Sequence, residues 1–577
     1  MKLRSFFSIL IAGVLALLAL SVGGFYWLTA HTPLNLLQGG PTGTPAAAIF
    51  VPKSAPAMLS MLVNPDRLEA LRQVFAPPQE RQRSHAEFNQ IKKSLLFNTG
   101  LDYSRDIEPW LGEEITFAVT GTDFDRDRSN GKQVGILLAV ASNNVERSRE
   151  FLELFWQKPT VAGEDVVVEQ YKGVKLTYRK AKSSSDFSPL SSGISSSFAT
   201  AVVGSSSTNR DSFVLFANHP KVLREAINNV QASNLSLNNA AEYQQVFKEL
   251  KQGRIAVGFA NISELNDWIG TKKTVSNEEK ESSTTSPATL AIALGVNRQG
   301  LLAEAVVVSP DSKDVLSTSP QSEPVKALNY VPAASPFVAA SRDLNHLWNQ
   351  LSTGVGSNDV LSKLVNQPIA DLKVSWGIDL AKDIFSWVRG EYALALLPRP
   401  DRSGADWIFA AEKSPDSEKA IARLDAIAQS QDYSIGNFSL NNQKISAWTR
   451  LTTSSNLDRK NTAIKAEAKG VRATVGEYEI FTTSVEAMDE SLKASQIGNV
   501  ASNSDFQTAI APLPQLNHGY LYLDWPSSRA VWERQIPLLR LIELSGRPFF
   551  DHLRSITLTS TGGEAGIRRG SAFIRLN

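Results

Sequence analysis

The phrase GLDYSRDIEPWLGEE at Gly100–Glu114 recurs as GIDLAKDIFSWVRGE at Gly377–Glu391, 277 residues further on. Aligned without gaps, the two share Gly100/Gly377, Asp102/Asp379, Asp106/Asp383, Ile107/Ile384, Trp110/Trp387 and Glu114/Glu391. A repeated phrase constrains a chain to repeated folding units when other matches follow in the same order. Upstream, FVPKSAPAMLS (Phe50–Ser60) matches YVPAASPFVAAS (Tyr330–Ser341). Downstream, VLFANHPKVLREAINN (Val214–Asn229) resembles EIFTTSVEAMDESLKA (Glu479–Ala494), and AEYQ (Ala241–Gln244) resembles SDFQ (Ser504–Gln507). At that last offset VGFANIS (Val257–Ser263) falls on YLYLDWP (Tyr520–Pro526). The offset shrinks along the chain, so the first copy carries extra residues, and the Ser-rich stretch Ala181–Thr200 is their natural place. The reading is a duplication, with copy one over 45–310 and copy two over 328–577. The segment 311–327, rich in Ser, Pro and charge, joins them as a linker.

Within the phrase the residues have local structural uses. Phe88, Ile91, Leu95 and Leu96 fall on one helical face, and Gly100 suits the left-handed C-cap of that helix. Asp102 or Asp106 can cap the next short turn, which Ile107, Trp110 and Leu111 press inward. EITFAVTG (Glu114–Gly121) and EYALALLP (Glu391–Pro398) then alternate as strands. The rest of each copy is strand-rich with intermittent helices, including a hairpin around Lys172-Gly173 and a helix opening at Pro220. Helices covering one face of each sheet give the expected class. It is α+β: an N-terminal transmembrane helix followed by two homologous domains, each a mixed or antiparallel sheet with helices.

The N-terminus supplies the expected address. Phe6–Leu28 is a run of 23 residues without charge, preceded by Lys2 and Arg4. At about 1.5 Å per residue it reaches about 34 Å, enough for a bilayer core. Tyr26 and Trp27 suit the far interface, and Lys2 and Arg4 the cytoplasmic side. Residues 1–30 are therefore read as an uncleaved signal anchor and 31–44 as a linker. A removed signal peptide and a buried core helix are the alternatives; the apolar run exceeds the usual signal-peptide core, and Leu28–Ala30 is a poor cleavage site. The main domains are then expected in the periplasm or a thylakoid lumen.

Composition narrows the function. With 42% hydrophobic and 20% charged residues over 577 positions, the chain can build sizeable cores. A net charge of +1 gives no broad field for nucleic acid, so none is expected as a partner. Cysteine is absent, which excludes disulfides, thiolate metal sites and a cysteine nucleophile. The six histidines, His31, His85, His219, His346, His518 and His552, show no ligand spacing. Asp123–Gly131 looks superficially like a calcium loop, but Arg128 and Val134 stand where Gly and Glu are needed. A charged hairpin tip is the simpler reading. Asp102, Asp106, Glu113 and Glu114 could be imagined as an acid/base pair, yet both copies carry the acidic residues in the same cap–turn–strand pattern, where capping explains two of them. No nucleophile elbow, P-loop or dinucleotide fingerprint occurs. No catalytic, cofactor-binding or metal residues are assigned. Trp110, Trp376 and Trp387 are expected in the core; Trp525 and Trp532 with Tyr520 and Tyr522 are read as core or interdomain packing, with a ligand groove or the bilayer surface as the alternatives.

The opening TPLNLLQGGP, the segment AAAIFVPKSAPAMLSMLVNPDRLEAL and the Asp-Ile-x-x-Trp-Leu-Gly-Glu phrase resemble an uncharacterised cyanobacterial, membrane-anchored family of unknown function. The resemblance implies no activity and no catalytic residues. The functional expectation is a non-enzymatic, membrane-tethered extracytoplasmic binding or assembly protein, with the membrane and a membrane protein as partners. The alternatives are a hydrolase whose site gathers distant carboxylates and a lipid-handling protein.

Overall fold

A computed structural model describes residues 43–64, 101–127, 132–161, 165–180, 197–204, 212–269, 288–297, 299–309, 323–345, 378–399, 405–455, 462–535, 543, 550–564 and 566–576. The apolar stretch 6–28, the helix expected before Gly100, Gly377 and most of the Ser-rich stretch lie outside these residues. So do most of both expected linkers, together with His31, His85, His346 and Trp376. Among the described residues no helix is long and apolar enough to cross a membrane.

The first half holds β1 (Ala57–Met61), β2 (Leu111–Gly121), β3 (Gly135–Ser142), β4 (Val166–Tyr171) and β5 (Val174–Arg179). It continues with β6 (Ala199–Val203), β7 (Ser212–Ala217), β8 (Ala256–Asn261), β9 (Thr289–Asn297) and β10 (Gly300–Val308). Side by side, they run β4-β5-β6-β7-β3-β2-β1-β8-β9-β10. The second half holds β11 (Phe337–Arg342), β12 (Glu391–Pro398), β13 (Ala405–Glu412), β14 (Ser434–Leu440) and β15 (Gln443–Ser455). Then come β16 (Thr462–Val475), β17 (Tyr478–Thr482), β18 (Gly519–Asp524), β19 (Leu553–Glu564) and β20 (Ile567–Leu576). Their lateral order is β14-β15-β16-β17-β13-β12-β11-β18-β19-β20. Each strand of the first half thus has a counterpart at the same place in the second.

The expected α+β class with two separately sheeted domains is corrected here. β10 pairs antiparallel with β20 over nine positions, from Gly300↔Arg575 to Val308↔Ile567. All 20 strands therefore form one sheet, and every pairing among the described residues is antiparallel, never mixed. The physical reason is the edge. A terminal strand leaves a row of unpaired N–H and C=O groups, and here the two edges satisfy each other. The register is symmetric. The turns before β10 and β20 align Gly300 with Ile567 and Val308 with Arg575, so the pairing reads alike from either half. Glu304↔Ser571 sits at its centre. Arg569 also forms an ion pair with Glu249 across the join.

Both faces of the sheet are covered near β3 and β7, because alternate residues point to opposite sides. Leu137 and Ala139 face a core with Phe50, Leu223, Tyr243 and Phe247, brought by the helices Pro220–Gln231 and Ala241–Lys248 and the turn after the 3-10 helix Ala46–Ile49. Leu138 and Val140 face Trp110, Phe151 and Leu152, from a short π-helical turn and the helix Val145–Val161. In the second half the helices Val485–Ile497 and Ser504–Ile510 cover one face, and Ser417–Ser430 the other. A further core spans the join, where Met61, Leu294 and Leu301 meet Trp525, Leu553 and Leu576.

Candidate functional site

The ten residues of the repeated signature form two assemblies, one in each half. Asp102 opens the turn Tyr103–Ile107: its Oδ1 accepts from the Arg105 N–H at 3.0 Å, while Asp106 Oδ2 accepts from the Asp102 N–H at 2.8 Å. Such reciprocal capping satisfies the orphan donors of a first turn. Asp379 and Asp383 repeat it around Leu380–Phe385, at 3.4 Å from Lys382 N and 2.8 Å from Asp379 N. Trp110 Nε1 donates to Asp106 O at 2.8 Å, and Trp387 Nε1 donates to Asp383 O at 3.1 Å. Ile107 and Ile384 pack against these indoles.

The glutamates that end the phrase reach further. Glu114 accepts from the N–H groups of Ala46 and Ala47 at 2.8 and 2.9 Å and from Thr116 Oγ1 at 2.8 Å, so it caps the helix Ala46–Ile49. Glu391 accepts from Lys326 N at 2.6 Å, at the start of the helix Lys326–Tyr330, and from Tyr478 OH at 2.9 Å; Arg342 pairs with its other oxygen. Burial raises the Glu114 carboxyl above the usual carboxylate range, against the pull of its donors. At Glu391 burial is outweighed by Arg342, Tyr478 and the Lys326 N–H, and the carboxyl is held below that range. Every carboxylate of the signature thus accepts from a backbone N–H.

Other sequence candidates are scattered. His219 caps the helix Pro220–Gln231, its Nδ1 accepting from Lys221 N at 3.1 Å. Asp123, Asp125 and Asp127 lie between β2 and β3, and Arg128–Gly131 fall outside the described residues. Among the described residues no three of His, Asp and Glu gather as a ligand set. Trp525, Tyr520 and Tyr522 are buried, and Trp532 is half-buried with its ring 5.4 Å from that of Phe337.

The feature that stands apart is a cavity of about 590 Å³ beside the first signature turn. Its walls include Trp110, Phe151, Phe155, Trp156 and Phe198, with Arg105, Arg147 and Arg179 among them. Trp156 Nε1 donates to Thr200 Oγ1 at 2.8 Å, which fixes that indole, and Phe155 meets it edge-on at 5.4 Å. Among the described residues the carboxylates on the wall are Asp106 and Glu150, and Asp106 is bound by Arg105 at 2.8 Å. Among the described residues the lining holds no Ser, Thr, His, Lys or Tyr.

The same place in the second half is nearly closed. Hairpins β4–β5 and β14–β15 turn through Lys172-Gly173 and Asn441-Asn442, four residues with positive φ, as such two-residue turns require. Counting from those turns, Arg179 in β5 corresponds to Trp448 in β15. The Trp448 indole crosses above Gly470, donates from Nε1 to Asp425 Oδ1 at 2.8 Å, and leaves about 30 Å³ between Ile378, Leu424, Ile427 and Ala428. One half holds room for a ligand, the other for a water or two.

A family profile described as a protein of unknown function (DUF3352) matches residues 10–576. The chain belongs to that family. No curated protein matches this DUF3352 member. Among solved structures, crystal form I of TP0453 aligns over 47% of this chain and 81% of that one, at 8% identity and a TM-score of 0.23, too slight a likeness to bear on fold or function.

Sequence reasoning places the signature turns but misses the cavity. The signal lay in VERSREFLELFWQ, whose Phe151, Phe155 and Trp156 crowd one side of a helix that also exposes Leu154. Arg179 and Phe198 carry no pattern that separates them from ordinary strand residues.

Proposed function

We propose that this protein is a non-enzymatic binding protein, built from two copies of one ancestral unit and held at a membrane through the stretch Phe6–Leu28. The matching strand order and the paired signature turns support the duplication. The observation that carries the binding role is the first-half cavity: about 590 Å³, walled by five aromatic side chains and, among the described residues, without a nucleophile beside a base. Ligand sites in proteins are commonly concave, mostly apolar and of this size. The cyanobacterial origin and the periplasmic or lumenal address belong to the same proposal, drawn from the sequence resemblance and the N-terminal charges.

Native mass spectrometry of the full chain after gentle extraction tests it. The expected result is a bound small organic molecule at one per chain, lost on Leu154→Trp, which places a large side chain at the cavity. A bare protein mass before and after that change would overturn the binding role. A stoichiometric protein in the extract would favour an assembly role. Membrane fractionation of a chain lacking residues 1–30 checks the tether, with release to the soluble fraction expected.

A further inference from the structure

We propose that the first-half cavity takes a ligand with a flat aromatic body at least the size of an indole, and that the cross-strand pair Arg179 and Phe198 keeps the place open for it. In the second half the equivalent place is filled by the chain's own indole, Trp448. The inference deepens the binding role above and rests on it.

Register makes the two places equivalent. In the first half one row of the sheet runs through Leu137, Ala217, Ala199 and Tyr178, across β3, β7, β6 and β5. In the second half the matching row runs through Ile408, Thr482, Val471 and Ala447, across β13, β17, β16 and β15. One residue beyond each row, the Arg179 N–H donates to Phe198 O at 3.2 Å, and Trp448 stands opposite Gly470. The large ring therefore comes from the β15 side in one half and from the approach to β6 in the other.

The two pairs are alternatives. A Cβ on Gly470 would lie 2.5 Å from Trp448 Cε3, so the indole crosses there because its neighbour has no side chain. Phe198 forbids the same crossing in the first half. Its ring turns instead toward Phe216, Phe155 and Trp156, with centroids 6.1, 5.9 and 6.2 Å away. About 590 Å³ then stays open in one half, against about 30 Å³ in the other. Protein interiors close-pack, and an unfilled wall forfeits its contacts. This fold has a means of filling the place, and the first half does not use it.

Trp448 also shows what suits the place. It is a planar ring whose one polar edge donates to Asp425 Oδ1 at 2.8 Å. The first half surrounds the space with aromatic faces, among them Trp110 and Phe151 with centroids 5.3 Å apart. A flat aromatic guest gains offset or edge-on ring contacts beyond the area it buries, and an aliphatic guest gains the area alone.

Photolabelling of the full chain with uncharged 4-methylbenzophenone tests this, with indole and cyclohexylmethanol as competitors. Saturable labelling is expected, with adducts on the helix Val145–Val161 or on Phe198. Excess indole should suppress it at least about threefold more than cyclohexylmethanol does at the same concentration. The double change Arg179→Trp with Phe198→Gly transplants the second-half pair and should abolish this labelling. Trp448→Ala should add a new adduct on the helix Ser417–Ser430. The two changes act in opposite directions, so either one, shown to be folded by circular dichroism, decides the equivalence. Equal competition by the two competitors would sink the aromatic preference. Labelling indifferent to the double change, or no new adduct in Trp448→Ala, would sink the role of the pair and leave the first-half site standing. Wild-type labelling that never saturates, or that maps elsewhere, would remove the site itself and the binding role with it.

Discussion

The Glu114 carboxylate lies 2.9 Å from the backbone nitrogen of Ala47, a residue 67 positions earlier, and closes the first turn of a helix that has no cap of its own. Glu391 does the same for the helix at Lys326, with Arg342 added. Neutral replacements should therefore act with opposite pH signatures. The raised Glu114 group contributes stability below the ordinary carboxylate pKa and loses it as pH rises through its folded value; Glu114→Gln should abolish that loss. The lowered Glu391 group contributes above the ordinary value and loses it as pH falls through its folded value; Glu391→Gln should flatten the acid limb. Each substitution should cost about 1–3 kcal/mol at neutral pH, since a buried donor loses its acceptor. Urea melts between pH 3 and 8 check both signs.

Trp387 is among the largest fully buried side chains and is held at both ends, by packing against Phe481 and by its bond to Asp383 O. Trp387→Phe should cost about 1–2 kcal/mol through the lost hydrogen bond, and Trp387→Ala about 3–5 kcal/mol through the cavity. Thermal unfolding followed at 222 nm distinguishes the two.

His219 sits half-buried against Phe124, ring centroids 4.5 Å apart, and its neutral Nδ1 accepts the capping bond. Burial first, then Lys221 and Arg224, lowers its pKa to about 4, while Asp125 pulls the other way. The unfolded chain binds this proton more readily, so the His219 contribution is complete above about 6.5 and is lost as pH falls toward 4. Asn keeps the cap without titrating. His219→Asn should remove a pH slope of at most about 1.4 kcal/mol per unit, read from stability measured at pH 4, 5, 6 and 7.

Gly300 stands where the two halves meet. A Cβ there would come within 2.0 Å of the Ile574 carbonyl oxygen, so Gly300→Ala must displace backbone on β20. The expected cost is about 2–4 kcal/mol. Limited proteolysis should show faster cleavage of that variant between the halves; unchanged cleavage and melting would refute the tight fit at this strand pair.

Short-range features were legible. The Lys172-Gly173 hairpin and the capping turn from Asp102 to Trp110 place all their partners within about ten residues, so residue type and spacing carry them. The pairing of β10 with β20 was not, because LLAEAVVV reads the same whether its outer edge is bare or occupied. The cavity escaped for a related reason. It depends on Arg179 standing where Trp448 stands elsewhere, and a volume left unfilled by several distant elements writes no periodic pattern.

The symmetric seam has one more consequence. Separated from its other half, a unit ending at β10 would expose a nine-residue strand edge whose register is already compatible with a second copy of itself. Such a fragment would associate, and its affinity would set how much dilution it survived. In the intact chain the complementary edge arrives on the same molecule, at a high local concentration that dilution cannot change.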